Sequence, residues 1–183
     1  DPPLILWNHR WDAEKNPQPL FGALYRLMAD GIEFRVALTG QNFRQDPTEF
    51  EEARNHLGEH LIQYGYMDDF GDYARLLWSA DYIISTAYQE FFGGAVAEAI
   101  YSGCVPLLPN RLNYPNLVPE SVHDTCLYPK DASLYYLLKR HLNGEIYVNT
   151  APLQAHIAQF DWSHIAPLYD DALANLRPRD SYL

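Results

Sequence analysis

A regular alternation of short apolar runs with segments of helical periodicity limits this chain to a small group of folds. Through the first two thirds of the chain, apolar runs of strand length alternate with segments in which apolar residues recur every three or four positions. The runs themselves do not alternate apolar with polar residues, which is typical of parallel strands covered on both faces. We therefore predict an α/β chain with a doubly wound, Rossmann-like parallel sheet of about six strands. The predicted strands are 4–7, 34–38, 61–64, 82–84, 105–108 and 126–127.

Helices are predicted between the first five strands and after the sixth. Asn16 is a residue type that caps helices and Pro17 suits a first turn, while Gly31 ends the same segment. Asp69 or one of its neighbours is expected to cap the helix that begins at Phe70. The predicted helices are 17–30, 48–57, 70–79, 95–101, 134–142, 153–160 and 164–176, of which the last two form a C-terminal helical segment of about 151–177.

Length, charge and cysteine content restrict the classes of function. The 183 residues suit one domain, 1–183, and a formal net charge of −11 disfavours nucleic-acid binding by this chain alone. No apolar run reaches the roughly 20 residues that span a bilayer. Cys104 and Cys126 fit no metal or disulfide pattern and are expected to lie in the core, which favours a reducing, cytoplasmic setting. The chain lacks both an initiator Met and a signal peptide, so we expect a piece of a longer protein.

Ligands of doubly wound sheets bind beyond the carboxyl ends of the strands, and three groups of residues follow strands there. The first contains Arg10 and Lys15, which are placed to reach one anion such as a diphosphate. Two solvated surface charges are the alternative.

The second group follows the third strand and contains Gly65, Tyr66 and Met67. Glycine lets the backbone approach a ligand closely, although an ordinary turn explains the same residues. The acidic residues Asp68 and Asp69 lack the spacing of a metal site, and helix capping explains them better.

The third group is the segment 90–99, EFFGGAVAEA, in which a helix is predicted to start near Gly94. Backbone N–H groups at a helix start attract phosphate or developing negative charge, and Gly93 and Gly94 permit a close approach. Glu98 lies about one turn into this helix and can accept hydrogen bonds from the two hydroxyls of a ribose. Glu90 precedes the helix and is expected to face a sugar ring.

These blocks, taken in order, resemble the C-terminal, donor-binding half of GT-B-fold retaining glycosyltransferases of family 4, the glycosyl transferases group 1. Arg10 and Lys15 resemble the family's Arg-x4-Lys, and 65–66 with 76–81 resemble its Gly-Tyr turn and following helix. The segment 90–106 resembles the Glu-x7-Glu block with its downstream Gly-x-Pro. The resemblance spans about residues 4–175.

The resemblance implies a role for each group. Arg10 and Lys15 would hold the donor diphosphate and neutralise the leaving group, so no divalent metal and no cofactor is implied. Glu90 would contact the donor sugar, and Glu98 would bind the ribose. The remaining donor contacts would come from backbone beside the base, at Tyr66 and Met67, and beside the sugar and phosphate, at Phe92, Gly93, Gly94 and Ala95.

Two segments, 7–12 and 88–93, are similar more narrowly to the tRNA-queuosine mannosyltransferase group. That similarity implies GDP-mannose as donor and queuosine-modified tRNA as acceptor, with a UDP-sugar as the alternative donor. Phe91 and Gly94 depart from the family's usual glycine and aliphatic residue, so the sugar pocket is expected to be reshaped.

The expected function is therefore the donor-binding half of a retaining hexosyltransferase. The acceptor-binding N-terminal half is absent from this chain, so we expect the isolated domain to be inactive, with any tRNA contact made through the full-length protein. A non-catalytic nucleotide-sugar binding module and a GT-B epimerase or phosphorylase relative are the alternatives.

Overall fold

The computed structural model describes residues 1–41 and 47–176 and contains the predicted parallel sheet. Its strands lie in the order β3-β2-β1-β4-β5-β6, and each neighbouring pair is parallel. The sixth strand begins one residue later than predicted. The strands are β1 (Leu4–Trp7), β2 (Arg35–Leu38), β3 (Leu61–Tyr64), β4 (Tyr82–Ile84), β5 (Val105–Pro109) and β6 (Leu127–Tyr128).

Helices connect successive strands and cover the sheet. Asp69 caps the third helix as predicted, since its carboxylate accepts a hydrogen bond from the Asp72 N–H at 2.8 Å. The helices are α1 (Gln18–Ala29), α2 (Thr48–Leu57), α3 (Phe70–Ser79), α4 (Gly94–Tyr101), α5 (His123–Cys126), α6 (Leu134–Leu142), α7 (Thr150–Ile157) and α8 (Trp162–Ala174).

The predicted capping role of Asn16 is wrong. Asn16 has a φ of 49° and ends a short 3₁₀ turn at Ala13–Lys15, and its side chain makes no capping hydrogen bond to α1. The amide instead donates to the Thr86 carbonyl and to the Asp131 carboxylate, each at 3.2 Å. Both partners are distant in sequence, so local capping preference was overridden by tertiary contacts.

The core lies on both faces of the sheet, as the apolar strands predicted. In β1, Leu4 and Leu6 pack into one buried cluster, while Ile5 and Trp7 pack into the other. Successive strand residues point to opposite faces, so a strand that is apolar at every position must be covered twice. Both cysteines, Cys104 and Cys126, are fully buried free thiols in the first cluster, as predicted.

The sheet topology creates one crevice. From β1 the chain progresses outward to β2 and β3, and from β4 it progresses in the opposite direction to β5 and β6. The loops that leave β1 and β4 therefore diverge and open a gap beyond their carboxyl ends. Across residues 1–41 and 47–176, no helix is long and apolar enough to cross a bilayer.

Candidate functional site

The carboxyl end of β1 forms the floor of this crevice. Asn8 and His9 follow the strand and are 9% and 5% exposed. The backbone beyond β2 passes directly against them at Gly40, where an added Cβ would lie 2.0 Å from the His9 carbonyl oxygen. Glycine is therefore required at position 40, because any side chain there would overlap the backbone of the site.

Two adjoining clefts open above this floor, with volumes of about 300 and 440 Å³. Asn8, His9 and Arg10 line both clefts and separate them. The nucleoside-sized first cleft is completed by Thr39, Gly40, Gln41, Tyr66, Met67, Asp68, Phe70 and Tyr73. The second cleft is completed by Glu14, Lys15, Gln89, Glu90, Phe91, Gly94 and Ala95.

Lys15 and Glu90 form a shielded ion pair in the second cleft. The Lys15 Nζ lies 3.0 Å from Glu90 Oε2 and donates a further hydrogen bond to the Gln89 carbonyl at 3.1 Å. The two side chains are 9% and 18% exposed. Burial opposes ionisation of Glu90, but the Lys15 ammonium and the Phe91 N–H outweigh it and lower the pKa of the carboxyl. Glu90 is thus held as a carboxylate beside a cation, an arrangement that orients polar groups of a ligand.

Arg10 stands at the rim between the two clefts. Its guanidinium is 57% exposed and contacts Glu14 at 2.8 Å and Asp12 at 3.3 Å. Exposed pairs of this kind contribute little to stability, so the guanidinium can exchange these carboxylates for a ligand anion at small cost. Arg10 and Lys15 therefore line one cleft, although Arg10 does not contact Glu90.

His9 is a buried, neutral imidazole between the clefts. Burial, together with the Lys15 charge, lowers its pKa to about 4. Its Nε2 lies 3.3 Å from the Ile84 carbonyl, an acceptor only, so Nε2 carries the proton and Nδ1 is left as an acceptor. A histidine fixed in this way joins the ends of β1 and β4, and it presents no positive charge to an anionic ligand.

The amino end of α4 points into the second cleft. Gly93 has a φ of 92° and packs against Leu117, where an added Cβ would lie 2.9 Å from the leucine side chain. Gly94 and Ala95 follow and line the cleft, and nothing lies within 4 Å of an added Cβ at Gly94. The first N–H groups of a helix have no partner within the helix. The cleft therefore combines a helix amino end with Lys15 and Arg10, and all three attract an anion.

Phe92 and Glu98 occupy a different position from the other predicted donor contacts. Both line a third groove, which shares Gly94 with the second cleft, and there the Phe92 ring packs edge-on against Phe160 with 5.2 Å between the ring centroids. The Glu98 carboxylate reaches back toward the first cleft, because its Oε2 accepts a hydrogen bond at 3.1 Å from the hydroxyl of Tyr73, which lines that cleft.

A polar network that the sequence did not predict holds the loop between β4 and Glu90. Arg111 donates to the carbonyls of Thr86 and Ala87 at 2.8 and 2.9 Å and pairs with Asp131 at 2.8 Å. Asn16 joins the same network. The three side chains connect segments that follow four strands, β1, β4, β5 and β6, and no local motif could have indicated them, because every contact is made at long range.

Among residues 1–41 and 47–176, no group of three or more His, Cys, Asp or Glu side chains is arranged to hold a metal ion. The predicted independence from metals stays a prediction.

Known proteins similar to this chain are glycosyltransferases. A tRNA-queuosine alpha-mannosyltransferase of Drosophila melanogaster is 38% identical over 122 residues, which cover 66% of this chain and 32% of the relative. A GDP-mannose:cellobiosyl-diphosphopolyprenol alpha-mannosyltransferase of Xanthomonas oryzae is 19% identical over 91% of this chain and 45% of the relative. The chain thus spans between a third and a half of the length of these curated relatives.

Solved structures with the same fold include Anabaena HepE in complex with UDP-glucose, with a TM-score of 0.78 and 18% identity over 96% of this chain and 50% of that one. Sucrose-phosphate synthase of Thermosynechococcus elongatus has a TM-score of 0.75 and 21% identity over 96% of this chain and 47% of that one. At these identities the likeness concerns the fold alone, and it is that of one half of a GT-B glycosyltransferase.

The model of the family described as glycosyl transferases group 1 matches residues 1–145, which is most of the chain. This match covers the sheet, both clefts and the segment 90–99. The chain belongs to the glycosyl transferases group 1 family.

Proposed function

We propose that this chain is the donor-binding half of a retaining mannosyltransferase and that it binds GDP-mannose. The observation that carries the proposal is the convergence of Lys15, Arg10 and the amino end of α4 on one cleft that adjoins a second, nucleoside-sized cleft. A nucleoside diphosphate sugar has the matching order of parts: a flat base, a ribose, a diphosphate and a sugar.

Different parts of the donor bind in the two clefts. The exposed Tyr66 and Phe70, with Met67, provide apolar surface for the base in the first cleft. Lys15, Arg10 and the N–H groups at the start of α4 neutralise the diphosphate in the second cleft. Because these groups bear the leaving-group charge, the proposed reaction is independent of metals. Glu90, held by Lys15, orients the sugar hydroxyls, and Glu98 binds the ribose.

The identity of the donor sugar is supported by the relatives. Two mannosyltransferases are among the proteins similar to this chain, and the name of one includes GDP-mannose. The structural neighbour HepE binds UDP-glucose, so a UDP-sugar is the alternative donor.

Queuosine-modified tRNA is the proposed acceptor, and the similarity to the Drosophila enzyme supports it. The net charge of −11 disfavours an extended contact between this chain and tRNA, so the proposal assigns that contact to another part of the full-length protein. Because the chain spans less than half of the length of these relatives, we propose that it binds donor in isolation without transferring sugar. The free, buried cysteines support a reducing, cytoplasmic setting.

Isothermal titration of the chain with GDP, UDP, GMP and GDP-mannose tests the proposal. We expect GDP and GDP-mannose to bind more tightly than UDP, and GMP to bind weakly because one phosphate cannot meet all the cationic groups. Tighter binding of UDP than of GDP would show that a UDP-sugar, not GDP-mannose, is the donor. Absence of binding by every nucleoside diphosphate would overturn the proposed function.

A further inference from the structure

A chain of hydrogen bonds joins the floor of the first cleft to Glu98. The Asn8 Nδ2 donates to the Ala95 carbonyl at 3.0 Å and to the Tyr73 hydroxyl at 2.9 Å. The Tyr73 hydroxyl in turn donates to Glu98 Oε2 at 3.1 Å. Three elements, the end of β1, α3 and the start of α4, thus meet in one polar contact at the crevice.

The donor and the acceptor are fixed in each of these three hydrogen bonds. The Ala95 carbonyl can only accept, so the Asn8 atom beside it is the amide nitrogen, whose second N–H points to Tyr73. Tyr73 already accepts that hydrogen bond, so its own proton goes to the Glu98 carboxylate. Within residues 1–41 and 47–176, Oε1 of Glu98 accepts no hydrogen bond and stays available to a ligand.

The surroundings of Asn8 and Tyr73 keep these hydrogen bonds in place with the same donors and acceptors. Asn8 is 9% exposed and is held by its two acceptors. Burial, reinforced by the Glu98 charge, raises the pKa of Tyr73 to about 12, so the hydroxyl remains a donor at neutral pH. The Tyr73 side chain forms part of the wall of the first cleft, and Asn8 lies between the two clefts.

We propose that Tyr73 and Asn8 are positioning residues for ribose recognition, which hold one oxygen of Glu98 so that the other accepts the ribose hydroxyls of the donor. The inference rests on the proposed function, because it assumes that a nucleoside diphosphate occupies the clefts. Fixing the carboxylate before binding removes the loss of rotamer freedom that would otherwise accompany each hydrogen bond to the ribose.

The test compares GDP and UDP with their 2′,3′-dideoxy analogues, each titrated against the wild-type chain and Tyr73→Phe. For the wild type we expect the ribose form to bind about tenfold more tightly than its dideoxy analogue, as for hydrogen bonds to a charged group. Tyr73→Phe should reduce this ratio several-fold toward that of Glu98→Gln. Because Tyr73 also lines the first cleft, the readout is the ratio between the ribose form and its dideoxy analogue in each protein, which cancels any change in affinity that the two ligands share.

Tyr136→Phe is the matched control, since Tyr136 is 59% exposed on α6 and lines neither cleft. Asn8→Ser gives a second variant, which should reduce the ratio in the same sense. A ratio in Tyr73→Phe equal to that of the wild type would overturn the inference while leaving the proposed function intact. A wild type that binds no nucleoside diphosphate would instead remove the proposed function itself, and circular dichroism spectra would show that each variant is folded.

Discussion

At the scale of single residues, the second cleft depends on one buried cation and one exposed cation. Lys15 is 9% exposed and bonded to Glu90, whereas Arg10 is 57% exposed and bonded to carboxylates that are themselves partly exposed. The buried ammonium keeps Glu90 ionised, and the exposed guanidinium is free to move. The same formal charge therefore has two different structural consequences.

Replacing each cation by methionine should separate these consequences. Both Lys15→Met and Arg10→Met should weaken binding of a nucleoside diphosphate by about tenfold or more, since each removes a charge-assisted hydrogen bond. Lys15→Met should also lower the free energy of unfolding by about 3 kcal/mol, because it leaves Glu90 shielded without its cation. Titration calorimetry and urea denaturation measure the two effects. Equal stability of both variants would show that the Lys15–Glu90 pair is not structurally important.

The lowered pKa of His9 predicts how the stability of the chain depends on pH. The unfolded chain protonates this histidine below about pH 6.5, but the folded chain does so only near pH 4, mainly because of burial. The unfolded state therefore binds more protons between these values, so this contribution to stability is complete above pH 6.5 and is lost as the pH falls. The loss by pH 4 should be about 3 kcal/mol.

Urea denaturation between pH 4 and 7 measures this slope. His9→Gln keeps a side-chain N–H that can reach the Ile84 carbonyl but has no titrating group, so its stability should depend less steeply on pH. His164→Gln, in exposed α8, should retain the slope of the wild type. Identical slopes for all three proteins would contradict the buried, neutral state of His9.

At the scale of elements, the site depends on how closely the strand ends approach each other. Gly40 and Gly65 both have positive φ, at 142° and 95°, and the Gly40 N–H donates to the Gly65 carbonyl. Gly40 lies against the His9 backbone, while nothing lies within 4 Å of an added Cβ at Gly65. The two glycines thus share a backbone requirement but differ in available space.

Substituting alanine at each glycine tests this difference. Gly65→Ala should lower the free energy of unfolding by about 1 kcal/mol, the cost of a left-handed conformation for a residue with a Cβ. Gly40→Ala should cost about 3 kcal/mol or more, since the β1 and β2 ends must separate as well. Gly40→Ala should also weaken nucleotide binding, because the floor of both clefts moves. Similar losses of stability in the two variants would show that the close approach at Gly40 is relieved easily.

At the scale of the whole molecule, the network of Arg111, Asp131 and Asn16 connects the two halves of the sheet beside the site. Arg111 lies after β5 and binds the loop after β4, while Asp131 lies after β6 and also receives the Asn16 amide from the β1 side. The loop that presents Glu90 is thereby fixed from both directions.

Arg111→Ala should lower the free energy of unfolding by about 2 kcal/mol, because it leaves Asp131 without its cation and the Ala87 carbonyl without its donor. It should also weaken nucleotide binding through the loosened Glu90 loop, although Arg111 lines neither cleft. Arg140→Ala is the control, because this exposed residue pairs only at the surface with Glu145 and should change stability by less than about 0.5 kcal/mol. Unchanged nucleotide affinity in Arg111→Ala would show that the network does not support the site.

The order of strands and helices was predictable because each depends on residues close together in sequence. The apolar runs, the Asp69 cap and the helix at segment 90–99 are local patterns, and parallel topology then placed the ligand crevice at the carboxyl edge. Asn16 was misinterpreted for the same reason, since its capping preference is local while its partners in the folded chain are not.

By itself, therefore, the sequence determined the doubly wound sheet, the edge at which a ligand is expected and the groups that lie at this edge, among them Lys15 and Glu90. Only the tertiary structure decided which groups meet. The pairing of Lys15 with Glu90 joins residues 75 positions apart, and that of Asn8 with Tyr73 joins residues 65 apart. Such partners depend on strand order and on how helices pack, and no short-range periodicity carries that information.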